Sequence, residues 1–364
     1  MINIAKPVIG EEEKKAILDV LDSGMIATGS VTKAFEAEFA AFIGTDYCIT
    51  TTSGTTALET ALRALGIGPG DTVLTTPFSF IASTNSILYT GATPVFADID
   101  PRTFNIDPIQ IEAALKEHPE VKALLIVHLF GLSCDMDAIM TIVKKHHLLL
   151  LVEDCAQSHG AAWNGKNVGT FGDASCFSFY PTKNMTTGEG GAVMTSNEAV
   201  AKKARLLVNH GMEIRYHHDM IGYNYRMTNM NASLGRCQLK KLPMFNEKRI
   251  ANAAYLSSHI QNPLITTPYV PEKARHVFHQ YTVLVEEGLR DTFTDYLHQN
   301  EIGFGIFYPL TIPEQKCYEG KGFPQHWAVS DKIKREVVSL PVHPSLSEAD
   351  LSEICCVINA FKGK

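Results

Sequence analysis

Between Tyr47 and Thr195 short apolar runs alternate with stretches of helical period, and few folds accommodate that alternation. The runs are Tyr47–Thr51, Val73–Thr75, Pro94–Phe96, Ala123–Val127, Leu148–Val152, Ser175–Phe179 and Ala192–Thr195. Runs this apolar suit strands covered on both faces, which points to an α/β fold with a mostly parallel central sheet flanked by helices. Asn164-Gly165 is a tight-turn signal, so residues 161–168 are expected to form a hairpin. Helices are expected over Glu11–Leu21, ending near Gly24, and after a capping Ser30, with Phe35, Phe39 and Phe42 on one face.

Past residue 245 the pattern changes to a long helix, a strand at Tyr281–Val285, a helix near Arg290–His298 and a closing helix over Ser347–Phe361. We therefore expect a large α/β domain over residues 1–245 and a small α+β domain over 246–364, with residues 1–12 packing on the small one. A chain of 364 residues suits that division. The net charge of −7, with dispersed basic residues, excludes a general nucleic-acid binder. No run approaches the ~20 apolar residues that span a bilayer, and the start lacks a basic segment followed by an apolar one, so a cytoplasmic protein is expected. The eight cysteines contain no C-x-x-C pair; we expect them reduced, mostly buried, and no metal site.

Gly160–Asn167 nearly matches a nucleotide P-loop but ends in Asn where Ser or Thr should hold magnesium. Gly66-Ile67-Gly68-Pro69-Gly70 fails as a dinucleotide fingerprint because its third glycine is misplaced. Three other stretches carry chemistry. In Thr51–Leu58 a strand ends, a glycine permits close backbone approach and a helix begins, so free amides there could receive a phosphate. A capped helix without a ligand reads equally well. The run Leu148–Val152 closes on Glu153-Asp154, at the strand end where open α/β sheets bind ligands. A desolvated carboxylate there needs a cation, which either a structural salt bridge or a protonated pyridine nitrogen would supply. Lys183 sits in a loop of small and hydroxyl residues between two apolar strands, unlike a surface helix, and a desolvated lysine can be a nucleophile.

Ser53–Leu58, Glu153–Ala161, Phe177–Asn184 and Gly222–Met227 together resemble, in order and spacing, the motifs of the DegT/DnrJ/EryC1/StrS sugar aminotransferases, pyridoxal-phosphate (PLP) enzymes of fold type I. The resemblance runs along nearly the whole chain. It implies that Lys183 holds PLP as a Schiff base, Asp154 pairs with the pyridine nitrogen and Gln157 bonds the phenolic oxygen. Ser178 and the backbone at Gly54 and Thr55 would hold the phosphate, Ser53 would be a further cofactor-binding residue, and Phe80 would stack on the ring. Asn224 matches an asparagine that reaches the neighbouring subunit's phosphate, implying a homodimer with shared sites. Candidates for the substrate are His159, Glu189, Arg215, Tyr216, Arg226 and Tyr308.

Some members of that family carry histidine at the lysine position and dehydrate; Lys183 here favours amino transfer. The implied reaction moves an amino group from L-glutamate or L-glutamine to a nucleotide-linked keto sugar, for amino-sugar or polysaccharide biosynthesis. A keto-cyclitol acceptor is the alternative, since all four motifs serve the cofactor. A PLP-binding regulator without catalysis would need a DNA-binding module, for which the chain before the first helix leaves no room.

Overall fold

The structure, a computed structural model, describes residues 1–147 and 149–363. Its centre is a seven-stranded sheet built from β1 (Tyr47–Thr51), β2 (Thr72–Thr75), β3 (Thr93–Phe96), β4 (Val121–Val127), β5 (Leu150–Asp154), β8 (Ala174–Ser178) and β9 (Gly191–Thr195). Between β5 and β8 the expected hairpin forms, with β6 (Ala162–Trp163) paired to β7 (Lys166–Asn167). The sheet order is β1-β9-β8-β5-β4-β2-β3. From β8 to β3 the neighbours are parallel; β9 runs antiparallel to both β8 and β1. The strand expected over Leu148–Val152 is observed over Leu150–Asp154, and Leu148 lies outside the described residues.

Strand β4 shows why both faces are apolar. Ala123, Leu125 and Val127 enter one core, with Leu58 and Leu62 of the helix Gly54–Ala64 and Leu207 of the helix Glu198–Val208. Leu124 and Ile126 enter the opposite core, against Ile111 and Ile139 of the helices Pro108–Glu117 and Met136–Lys145. This is the period-two alternation of a strand covered on both sides. A third cluster joins Phe35 and Phe39 to Phe177 and Phe179.

Two local expectations need correction. Gly29, not Ser30, holds the cap position of the helix Ser30–Ile43. Its first turn is satisfied from a distance, because Asn229 Oδ1 accepts from Thr32 N at 3.1 Å and from Thr32 Oγ1 at 3.0 Å. The long helix expected after residue 245 spans Asn229–His259, so that residue lies inside it. Thr228 caps this helix and Pro243 sits within it without ending it.

C-terminal to its middle, Leu256, Tyr281, Val283, Phe293, Leu340 and Ile354 form a separate apolar core around a three-stranded sheet of Ile265–Thr266, Tyr281–Val285 and Val337–Leu340. Ile2 bridges to Ile302 and packs on this core. No helix among the described residues is long and apolar enough to cross a membrane. All eight cysteines are free, five of them buried.

Candidate active site

Strands β1, β5 and β8 end on the same edge, and register brings their loops together. Gly191 of β9 pairs with Ser178 on one side and Thr51 on the other. A Cβ at Gly191 would stand 2.3 Å from Ser53 O, so only glycine permits this approach. Gly54 is as close to the end of β8, for its Cβ would meet Ser178 Cβ at 2.7 Å. Ser53 caps the helix Gly54–Ala64, accepting from Thr56 N at 3.2 Å. The amides of Gly54 and Thr55 meet no acceptor among the described residues and stay available at the positive end of the helix.

These loops frame a cavity of about 460 Å³. Ser53, Gly54, Thr55, Phe80, Asp154, Gln157, Ser178, Lys183, Glu189 and Tyr308 all line it, so ten of the residues singled out from sequence come together. Lys183 Nζ makes no hydrogen bond or ion pair among the described residues; desolvation lowers its pKa to about 8, against the opposing pull of Asp154.

The acid pair divides its work, because neighbouring strand residues face opposite ways. Glu153, fully buried, accepts from His128 Nε2 at 3.0 Å and from the amides of Gly169, Phe171 and Gly172, each at 2.8 Å. His128 Nδ1 accepts from Cys134 N, which leaves Nε2 as the donor, and Glu153 is thereby a saturated structural carboxylate. Asp154 faces the cavity. Burial raises its pKa, while Ala156 N (3.0 Å) and Ser83 Oγ (2.8 Å) donate to it and oppose the rise. The alternative of a structural salt bridge at Asp154 is not realised among the described residues.

The orientation of Gln157 follows from its partners. Phe130 N donates to Oε1 at 2.8 Å, so Nε2 turns towards the cavity and donates to Tyr308 Oη at 3.2 Å. Tyr308 arrives from the C-terminal part of the chain, edge-on to Phe78 and tilted against Phe80, and burial raises its pKa.

Five candidates stand elsewhere. His159 is fully buried against Phe39, Phe177 and Phe179, with its pKa pushed down to about 3 by burial, and it does not line the cavity. Its ring packs among these aromatic side chains instead of reaching the cavity expected of a substrate contact. Arg215 and Tyr216 are exposed and contact each other, guanidinium over ring at 4.9 Å. Arg226 Nη1 donates to Asn209 Oδ1, and Asn224, exposed, bridges to Asn209. None of these four lines this chain's cavity. Residues not singled out from sequence do line it: Ser79, Ser83, Tyr180, His279 and Phe307. Of these, Ser83 stands three positions from Phe80 and donates to Asp154, and Ser79 hydrogen-bonds to Ser83 at 3.3 Å, contacts that carry no signal in the sequence.

The arrangement fits a phosphorylated, cationic aromatic aldehyde. Free helix-start amides and Ser178 suit a phosphate, a buried carboxylate without an ion pair suits a ring cation, and an unpaired amine suits a carbonyl.

The sequence pattern described as the DegT/DnrJ/EryC1/StrS aminotransferase family matches residues 7–359. The UDP-N-acetyl-3-dehydro-alpha-D-glucosamine 3-aminotransferase of Acidithiobacillus ferrooxidans is 40% identical over 340 residues, covering 93% of this chain and 90% of its own. The dTDP-3-amino-3,6-dideoxy-alpha-D-galactopyranose transaminase of Aneurinibacillus thermoaerophilus is 39% identical, covering 96% and 95%. Among solved structures, DesV of S. venezuelae, in complex with a ketimine intermediate, superposes with a TM-score of 0.91 at 36% identity, covering 96% and 93%.

Proposed function

Because the chain belongs to the DegT/DnrJ/EryC1/StrS aminotransferase family, we propose that it transfers an amino group from L-glutamate or L-glutamine to a nucleotide-linked 3- or 4-keto sugar. It is a PLP-dependent sugar aminotransferase of fold type I, acting in amino-sugar biosynthesis. The observation that carries the residue assignment is the unpaired amine of Lys183 beside the buried, unpaired carboxylate of Asp154 in one cavity.

PLP, when bound, supplies the conjugated ring into which electrons pass as the α-proton leaves. Lys183 is the amine that would hold the cofactor's aldehyde, and when free its Nζ would be placed to take the α-proton and return it. Asp154, whose charged form Ala156 N and Ser83 Oγ favour, would hold the proton on the pyridine nitrogen. Gln157 donates through Nε2 to the phenolic oxygen, its amide fixed by Phe130 N. Ser53, Ser178 and the amides of Gly54 and Thr55 bind the phosphate, and Phe80 covers the ring. Glu189 and Tyr308, both on the cavity wall, are the substrate contacts from this chain.

Arg215, Tyr216, Arg226 and Asn224 are assigned to the neighbouring subunit's site in a homodimer. Their position off this cavity, on the exposed segment that follows the helix Glu198–Val208, supports that reading. The protein is assigned to the cytoplasm, in keeping with eight free cysteines.

Borohydride reduction of the PLP-loaded protein, followed by peptide mapping, tests the assignment. The label is expected on Lys183; a label on another lysine rejects it.

A further inference from the structure

Adjoining the large cavity, and sharing Ala5, Thr182 and Lys183 with it, is a second cavity of about 20 Å³. That volume holds a body about the size of one water molecule. Its wall carries Lys6, Lys183 and Arg249, and no carboxylate among the described residues.

Arg249 determines its character. The side chain projects from the helix Asn229–His259 and is only 6% exposed. A guanidinium carries five N–H donors. Here Nη1 reaches the carbonyls of Phe278 and His279 at 3.2 and 3.4 Å, long for such bonds, while Nε meets no acceptor at all. Desolvation alone lowers its pKa to about 10, with no acid opposing it. The neighbouring charge has the same sign: burial, then Lys183 and Arg249, push His279 down, and burial, then Arg249 and Lys6, do so at His343, where Asn3 O and Asp350 oppose them. Glu13, on the nearby first helix, is already committed to Lys241, Gln238 and Gly10 N. A buried cation with no counter-charge is costly, and this one faces a space that can admit a counter-ion.

We propose that this cavity binds one small monovalent anion, held by the Arg249 guanidinium and reached past the exposed Lys6 side chain. Halide and carboxylate share the required chemistry. Either accepts from the free Nε and sits where the local charge is positive. Because Lys183 forms part of the same wall, an occupied site favours the protonated lysine. The site therefore couples ionic conditions to the amine that captures the cofactor.

The test is a crystal structure of the PLP-loaded enzyme grown in bromide, read by anomalous scattering. A bromide peak within hydrogen-bond distance of the Arg249 guanidinium, absent in Arg249→Met, is the expected result. A second crystal with saturating L-glutamate distinguishes the sources: displacement of the peak by carboxylate density assigns the site to the amino donor, and persistence assigns it to free halide. Water alone in the wild-type cavity in both crystals overturns the proposal, whether or not the variant folds; so does a peak that survives in Arg249→Met.

Discussion

Lys183 must be neutral to attack a carbonyl, and burial brings its pKa down to about 8. A lysine with an ordinary pKa near 10.4 would be almost wholly protonated at pH 7. The rate of PLP capture by the apoprotein should therefore rise with pH and level off above about 8, followed by the growth of visible absorbance. A rise continuing towards pH 10 would mean that the amine is solvated. Asp154 has the opposite need. Burial already raises its pKa, and Ser83 Oγ counteracts this by donating to the charged form. Ser83→Ala removes a charge-assisted bond of about 1.5–3 kcal/mol, so the acid limb of the pH–rate profile should move up by roughly one to two units. Ser83→Thr should keep the limb in place; an unmoved limb in the alanine variant would show that Ser83 does not tune Asp154. Lys183 and Asp154 were legible in sequence because each stands in a distinctive local context. The Ser83 contact was not, since its partner is 71 positions away and a serine at a helix start carries no mark of what it will face.

Among the elements, the junction of β1, β8 and β9 governs cofactor binding. Glycine at the first turn of a helix normally accepts alanine readily. Gly54→Ala should behave differently, because the new methyl would press on Ser178 and part the two sides of the phosphate cradle. We expect PLP affinity to fall about tenfold or more, which corresponds to about 1.4 kcal/mol, beyond the loss of about 1–3 kcal/mol in apoprotein stability that the crowded contact brings. Equilibrium titration with PLP measures it, and unchanged affinity would remove Gly54 from the cradle. The strands themselves were legible from their apolar runs, but the reversed direction of β9 was not, because a buried strand has the same composition whichever way it runs. The long helix misled for a related reason. Its helical pattern is clear only beyond Pro243, yet residues 229–259 form one helix whose N-terminal half packs on the helices Glu11–Asp22 and Ser30–Ile43.

At the scale of the whole molecule, one chain supplies the lysine, the carboxylate and the helix start, while Asn224 and Arg215 are exposed and do not line its own cavity. If Asn224 serves the partner's phosphate, a heterodimer of Lys183→Ala and Asn224→Ala contains one site with both lesions and one intact site. Subunit exchange between the two inactive or impaired homodimers should then restore activity towards half of wild type per heterodimer. An activity equal to the parental average, in a sample shown by mass to contain heterodimers, would confine Asn224 to its own chain. The fold class was legible because alternation along the chain dictates it. What the acceptor is was not, because the four motifs surround the cofactor and leave part of the cavity wall to residues such as His279 and Phe307, which come from distant segments. That gap sets the decisive measurement: incubate the PLP-loaded enzyme with heavy-nitrogen L-glutamate and a panel of nucleotide-linked 3-keto and 4-keto sugars beside scyllo-inosose, and follow the label by mass spectrometry. The account predicts heavy nitrogen in an aminated nucleotide sugar, lost in Lys183→Ala; label appearing only in the cyclitol, or in no acceptor while the donor is still consumed, would contradict it.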